Sequence, residues 1–439
     1  MVYINLMESN LNLHKKIYLT TFISLLTIFS INGCEQVEPR KEDGAPKINN
    51  ASLDDTFVYH KSSLYADRIK SCVAYDKSCS LNTLPLLRED GEITKEKIKS
   101  RLVVSHKWMG DRFMEMLDLL DSDIMQLLGA VTAIVIDNDI RPSFYTTQTG
   151  AIYIDPRYLW LTPQEASDIT QKDDFRASYG AKLDFLPTWR YVKDGKNAIG
   201  YSDLKNPQPR TREDLKLPLA RLLYHELSHA NDFANEDVVA GVNRDAPIVE
   251  ALESNKNQRV SAKLYGTMPL TNETLIHLGK VLYFGEDATT EDKMLEASDV
   301  GSMFATDSAS NMYNYANAFE DMAMLFETAM MKYHYDIEMD IGFVSNTKNA
   351  KSCDDFILGW GTRNQIARDD VKQRVNFVLK HILPNSANWD NFTQNSIGTA
   401  SSLPTNVGWC ASINSNSNLN RMTNQNIPIP LHEFLSPEY

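Results

Sequence analysis

After Pro218 the apolar residues Leu219, Leu222, Leu223 and Ala230 recur at the spacing of one helical face, which predicts a helix over 218–233. Proline is tolerated in a helix's first turn but not in its interior, so Pro218 marks a start. Upstream, Thr211 followed by Arg212, Glu213 and Asp214 reads as an N-cap with an acidic first turn, predicting a short helix kinked or ended at Pro218. Helical patterning is also expected over 92–120, 272–283 and 369–382. Two β-branched-rich runs, 130–137 (AVTAIVID) and 150–155 (GAIYID), the second after a Thr/Gln/Gly turn, predict strands. Residues 165–210 mix charge, Pro and Gly without a period and are expected to be irregular and to line a cleft. An acidic stretch over 286–299 reads as a solvated face.

The first apolar run, 17–31, follows Lys15 and Lys16 and is too short for a typical membrane span, so it reads as a signal-peptide core. It ends at Ile31-Asn32-Gly33-Cys34, which resembles a bacterial lipobox and implies that Cys34 is lipidated as the new N-terminus. Glu35 is not the aspartate that retains such proteins in the inner membrane. The expectation is therefore an envelope protein held by an N-terminal lipid, at the outer membrane. The remaining Cys72, Cys79, Cys353 and Cys410 are even in number in an oxidising compartment, and local pairing gives Cys72–Cys79 and Cys353–Cys410. The organisation expected is a signal peptide (1–33), a polar tether (34–55), a helical N-terminal region (56–127), a catalytic domain (128–345) with an insertion at 234–310, and a helical to irregular C-terminal region (346–439) containing a disulfide.

Within the 218–233 helix lies His225-Glu226-Leu227-Ser228-His229. Two histidines four residues apart share one face, while Glu226, rotated roughly 100° from His225, can reach a water on a metal held by both. With 9 His in 439 residues, a chance match to this pattern is on the order of one in a hundred. Asp232, three residues after His229, shares the face and is a candidate to orient a ligand imidazole. A catalytic zinc site needs a third protein ligand. The positions after His229 lack the glycine and ligand spacing of one zinc-peptidase class and the Asp- and Tyr-containing segment of another. That leaves a glutamate on a second helix, and the best stretch is 317–326, NAFEDMAMLF.

These two runs, HELSHAND at 225–232 and NAFEDMAMLF, resemble the gluzincin metallopeptidases, and within them the catalytic domain of anthrax-lethal-factor-type proteases. The resemblance implies that Glu320 is the third zinc ligand and that Tyr313 helps stabilise an oxyanion, with Tyr315 a close alternative. It covers well under half of the chain; the long interval from His229 to Glu320 implies the insertion, and Asp321 and Met324 differ from the family's usual residues. Glu327, seven residues after Glu320 on the same face, competes with it; either reads otherwise as a solvated helix carboxylate, although Phe319, Met322, Ala323 and Phe326 give Glu320 apolar neighbours. The fold class expected is α+β, mainly helical and zincin-like, with a small sheet whose edge strand lies beside the active-site helix. The 150–155 strand is the candidate edge to pair with an extended substrate.

The activity expected is hydrolysis of peptide bonds in a peptide or protein substrate. One Zn²⁺ would sit on His225, His229 and Glu320, Glu226 would act as general base toward a water, and Asp232 and Asp321 would support the ligands. Two alternatives remain: a zinc-binding envelope lipoprotein without proteolytic activity, against which Glu226 argues, and a zinc amidase acting on cell-wall material. A net charge of −14 without a basic cluster excludes nucleic acid as a partner. Oligomeric state is not legible, and no internal repeat is present.

Overall fold

The computed structural model describes residues 53–74, 79–172, 178–200, 203–345, 350 and 352–414 of the chain. The apolar run 17–31, Cys34, the tether up to residue 52 and the tail 415–439 lie outside the described residues. The fold is α+β, with two five-stranded sheets among many helices.

The first sheet contains β1 (Phe57–Val58), β2 (Leu102–Val104), β3 (Ile134–Ile136), β4 (Phe144–Thr146) and β5 (Ala151–Ile154), in the order β1-β2-β3-β5-β4. β2, β3 and β5 are parallel, and β1 and β4 are antiparallel edges. The three parallel strands are buried on both faces, so they read as continuous apolar runs rather than alternation. Leu102, Val104, Ile134, Ile136, Ile152 and Ile154 join the main core on one face. Val103, Val135, Ala151 and Tyr153 pack on the other with Ile69, Cys72 and Val73 of the helix Ala66–Val73.

Five helices build or brace the site: α1 (Arg212–Phe233), α2 (Val260–Thr267), α3 (Glu273–Phe284), α4 (Ala318–Tyr335) and α5 (Asp369–Ile382). α1 lies against β4 and β5 and packs along α4. α4 leads directly into β8 (Glu338–Ser345) of the second sheet, which also holds β6 (Phe185–Lys193), β7 (Lys196–Asn197), β9 (Leu358–Arg363) and β10 (Ser401–Ser402) in the antiparallel order β10-β9-β8-β6-β7.

The expected helices over 272–283 and 369–382 fall within a residue of α3 and on α5, and both expected disulfides are formed. Four expectations change. α1 runs unbroken through Pro218, whose missing N–H leaves only the carbonyl of exposed Asp214 without a helical donor. The 56–127 region is not a separate helical unit, because β1 and β2 belong to the first sheet. Residues 185–193, expected to be irregular, form the longest strand; Phe185, Leu186, Tyr191 and Val192 are buried despite Pro187. Finally, β5 is interior, paired with β3 on one side and β4 on the other, so it has no free edge; the edge beside α1 is β4. Among the described residues no helix is long and apolar enough to cross a membrane.

Candidate metal centre

α1 starts at a reciprocal cap, in which Thr211 Oγ1 accepts from the Asp214 amide and the Asp214 carboxylate accepts from the Thr211 amide. About four turns later it delivers His225, and one turn beyond that His229, to the face that meets α4. α4 starts at Asn317, whose side-chain oxygen accepts from the amides of Phe319 and Glu320 at 2.9 Å each, so Glu320 projects from the first turn. The helices bring three donor atoms together. His225 Nε2 lies 3.1 Å from Glu320 Oε2, His229 Nε2 lies 3.4 Å from the same oxygen, and the two imidazole nitrogens are 3.3 Å apart. His225, His229 and Glu320 form the one group of three or more potential metal ligands found among the described residues.

The two imidazoles are nearly closed to solvent, each below a tenth exposed, as is Glu226, while Glu320 is partly exposed. Burial disfavours charge on every member. For His229 it is outweighed by the carboxylates of Glu320, Glu226 and Asp232, which lift the imidazole to about 9. For Glu320 burial is outweighed by His229 and His225, which hold the carboxyl well below its ordinary range. His225, where burial prevails, is lowered. Two imidazoles and a carboxylate thus hold one another in place, and the proton on His229 is one that a cation of higher charge can displace.

The surrounding residues differ in how they meet expectation. Tyr313 sits in the turn Met312–Tyr315, capped by Asn311, whose side chain accepts from the Tyr313 amide. Its ring stacks at 6.2 Å on His225 and makes an edge contact with Tyr283 of α3. Tyr315 is turned away: its hydroxyl donates to Asp307 at 3.1 Å and its ring packs on Phe304, so of the two candidate tyrosines only Tyr313 stands beside the cluster. Asp232 is fully buried, but its oxygens accept from the Ser261 amide and hydroxyl at 2.8 and 2.5 Å. It ties the end of α1 to the start of α2 and reaches His229 only through its charge. Asp321 pairs with Arg374 of α5 and accepts from Asn314 Nδ2 at 2.8 Å, fastening α4 rather than supporting a ligand.

A different carboxylate, that of Glu327, meets His225 directly. Glu327 is fully buried, with Oε2 at 3.0 Å from His225 Nδ1 and 3.6 Å from Arg221 Nη1. Burial pushes its carboxyl well above the ordinary range. Its spacing from Glu320 placed it on the right face, but its burial and its partners come from α1 and are not written in α4.

The chain has no matching family model, no matching curated protein and no matching solved structure.

Proposed function

We propose that the protein is a zinc-dependent peptidase of zincin-like architecture, with His225, His229 and Glu320 as the metal ligands. The observation that carries this reading is the spacing of the three donors. Ligands at roughly 2.0–2.2 Å from a tetrahedral zinc lie about 3.3–3.6 Å apart, and the cluster spans 3.1–3.4 Å. Two nitrogens and one oxygen are also the donor types of catalytic zinc sites that keep a fourth position open.

When bound, zinc would supply Lewis acidity toward a carbonyl and acidify a water. Glu226, next to His225 and electrostatically coupled to His229, is the carboxylate available to take a proton from the attacking water and return it to the leaving amine. Tyr313, whose ring stacks on His225, is the residue this reading assigns to donate toward an oxyanion. The edge strand β4 lies against α1, and a strand at a sheet edge beside the ligand helix is where an extended peptide pairs through main-chain hydrogen bonds. A peptide or protein substrate therefore fits better than a small amide. The sequence signals at 15–34 favour a lipid-anchored protein of the cell envelope as the setting.

The test is peptide-library cleavage by the full-length protein in detergent, with zinc content read in the same samples. Wild type should carry one zinc and cleave peptides; Glu226→Gln should keep the zinc and lose about 10²–10⁴-fold in turnover. Stoichiometric zinc without cleavage would transfer the reading to a zinc-binding envelope protein, and cleavage of cell-wall amides alone to an amidase.

A further inference from the structure

We propose that Glu327 is the positioning residue that orients His225 toward the metal, and that Arg221 and Tyr158 hold Glu327 in that role; the proposal rests on the zinc reading above. A histidine that offers one ring nitrogen to a metal carries its proton on the other, and the partner receiving that proton fixes the tautomer and the ring's direction. His225 Nε2 faces Glu320 and His229, so the ring's proton belongs on Nδ1, and Glu327 Oε2 stands 3.0 Å from that nitrogen. Neither Asp232 nor Asp321 does this for His225, since each is committed to residues elsewhere in the fold.

The surroundings of Glu327 argue against a purely structural ion pair. The fully buried Asp340, by comparison, meets Arg190 at 2.9 Å and Arg363 at 2.6 Å. Arg221 is looser on Glu327, at 3.6 Å, and the imidazole is the nearer partner. The second oxygen, Oε1, is buried without a hydrogen-bond partner among the described residues. A fully buried carboxylate in this state is costly unless its placement serves another end.

The support is built into α1 and the first sheet. Arg221 precedes His225 by four residues, one turn along the same face of α1, so the helix that carries the ligand also carries the cation steering its partner. Arg221 Nη2 donates to Tyr158 Oη at 3.1 Å, and Tyr158 ends the turn Pro156–Tyr158 immediately after β5. A continuous series therefore runs from the sheet through Tyr158, Arg221 and Glu327 to His225. Glu320 and Glu327, both on α4, address opposite nitrogens of one imidazole.

The experiment compares zinc affinity, by competition with a chromophoric chelator, in full-length wild type, Glu327→Met and Glu327→Gln in detergent, with thermal midpoints of the metal-free forms alongside. Methionine removes the acceptor at similar volume and should weaken zinc binding about 10- to 100-fold, the range typical of an outer-shell partner. Glutamine, whose carbonyl can still accept from Nδ1–H, should recover part of the loss. The Co²⁺-loaded wild type should show one paramagnetically shifted N–H that exchanges slowly with solvent, assigned to His225 Nδ1 and absent in Glu327→Met. Affinity in Glu327→Met within twofold of wild type would overturn the proposal while leaving the zinc reading intact. A wild type that binds no metal would overturn both. Should Glu327→Met not fold, the wild-type Co²⁺ spectrum decides: a protected N–H supports the proposal, and rapid exchange of every ligand N–H overturns it.

Discussion

Asp340 in the second sheet and Glu320 at the candidate metal centre are both carboxylates set among cationic or ionisable partners, yet their partners differ in kind. Asp340 is fully buried on β8, level with Arg190 on β6 and Arg363 on β9, and both guanidiniums donate to it. Arginine does not surrender its proton in proteins, so that ladder of three strands is a permanent pairing. Glu320 is shared by two imidazoles, groups that can give up protons and then offer lone pairs to one ion. Buried charge alone therefore does not mark a site; partners that can exchange a proton for a metal do.

The comparison breaks most readily at Glu320. Glu320→Ala should reduce zinc affinity by more than the roughly 10- to 100-fold expected for losing an outer-shell partner, and should also lower the metal-free thermal midpoint at neutral pH, because it removes the carboxylate that holds His229 protonated; a variant that kept wild-type zinc content would remove Glu320 from the ligand set. Asp340→Ala should leave zinc affinity unchanged. Stranding Arg190 and Arg363 is expected to cost about 3–5 kcal/mol of stability, measured by denaturant unfolding, with one zinc still bound per folded chain.

Proton exchange sharpens the contrast. The metal-free cluster holds His229 up to about 9, so zinc uptake at neutral pH should release close to one proton, seen as buffer-dependent binding heats in calorimetry. Below about 9 each unit fall in pH should weaken zinc binding about tenfold on this account. In the metal-free protein the sign reverses. A raised imidazole stabilises fully below its ordinary range and ceases to do so as pH rises through about 9, and Glu320, held low, contributes only above the pH at which it is protonated. The Asp340 ladder has no imidazole and should show no such dependence near neutral pH.

The smallest expected effect is at α3. A Cβ on Gly279 would stand 2.3 Å from the carbonyl oxygen of Tyr315, so Gly279→Ala should shift the turn carrying Tyr313 and cost about 1–3 kcal/mol. Turnover should fall more than zinc affinity, because the tyrosine is displaced while the ligand helices are not; equal losses of both would count against that role for Tyr313.

What could be read in the sequence was what a single helix determines. His225 and His229 are a turn apart, Glu320 stands in the NAFEDMAMLF run that carries the resemblance, and the apolar rows of α3 and α5 give their bounds nearly to the residue. What could not be read was decided by partners distant along the chain. Helical spacing gave the direction in which Asp232 and Asp321 point, but Ser261 and Arg374, which claim them, lie 29 and 53 residues further on. Tyr313 was favoured over Tyr315 on the resemblance alone, and the hydroxyl of Tyr315 is taken by Asp307. The 150–155 strand was expected at the edge on the zincin resemblance, and the pairing of β4 beyond it makes it interior. β6 was missed because Pro187 and its charged neighbours break the alternation, whereas its place is set by eight residue pairs with β8. Glu327 combines both cases: its face was visible, its partner was not.

The most direct test of the central claim is X-ray absorption at the zinc edge of the purified full-length protein, with metal content measured on the same sample. The account predicts one zinc per chain bound by two imidazoles and one carboxylate, with first-shell distances of roughly 2.0–2.2 Å, and loss of that zinc in Glu320→Ala. A chain that purifies and reconstitutes without zinc, or a first shell containing sulfur or a single imidazole, would contradict it.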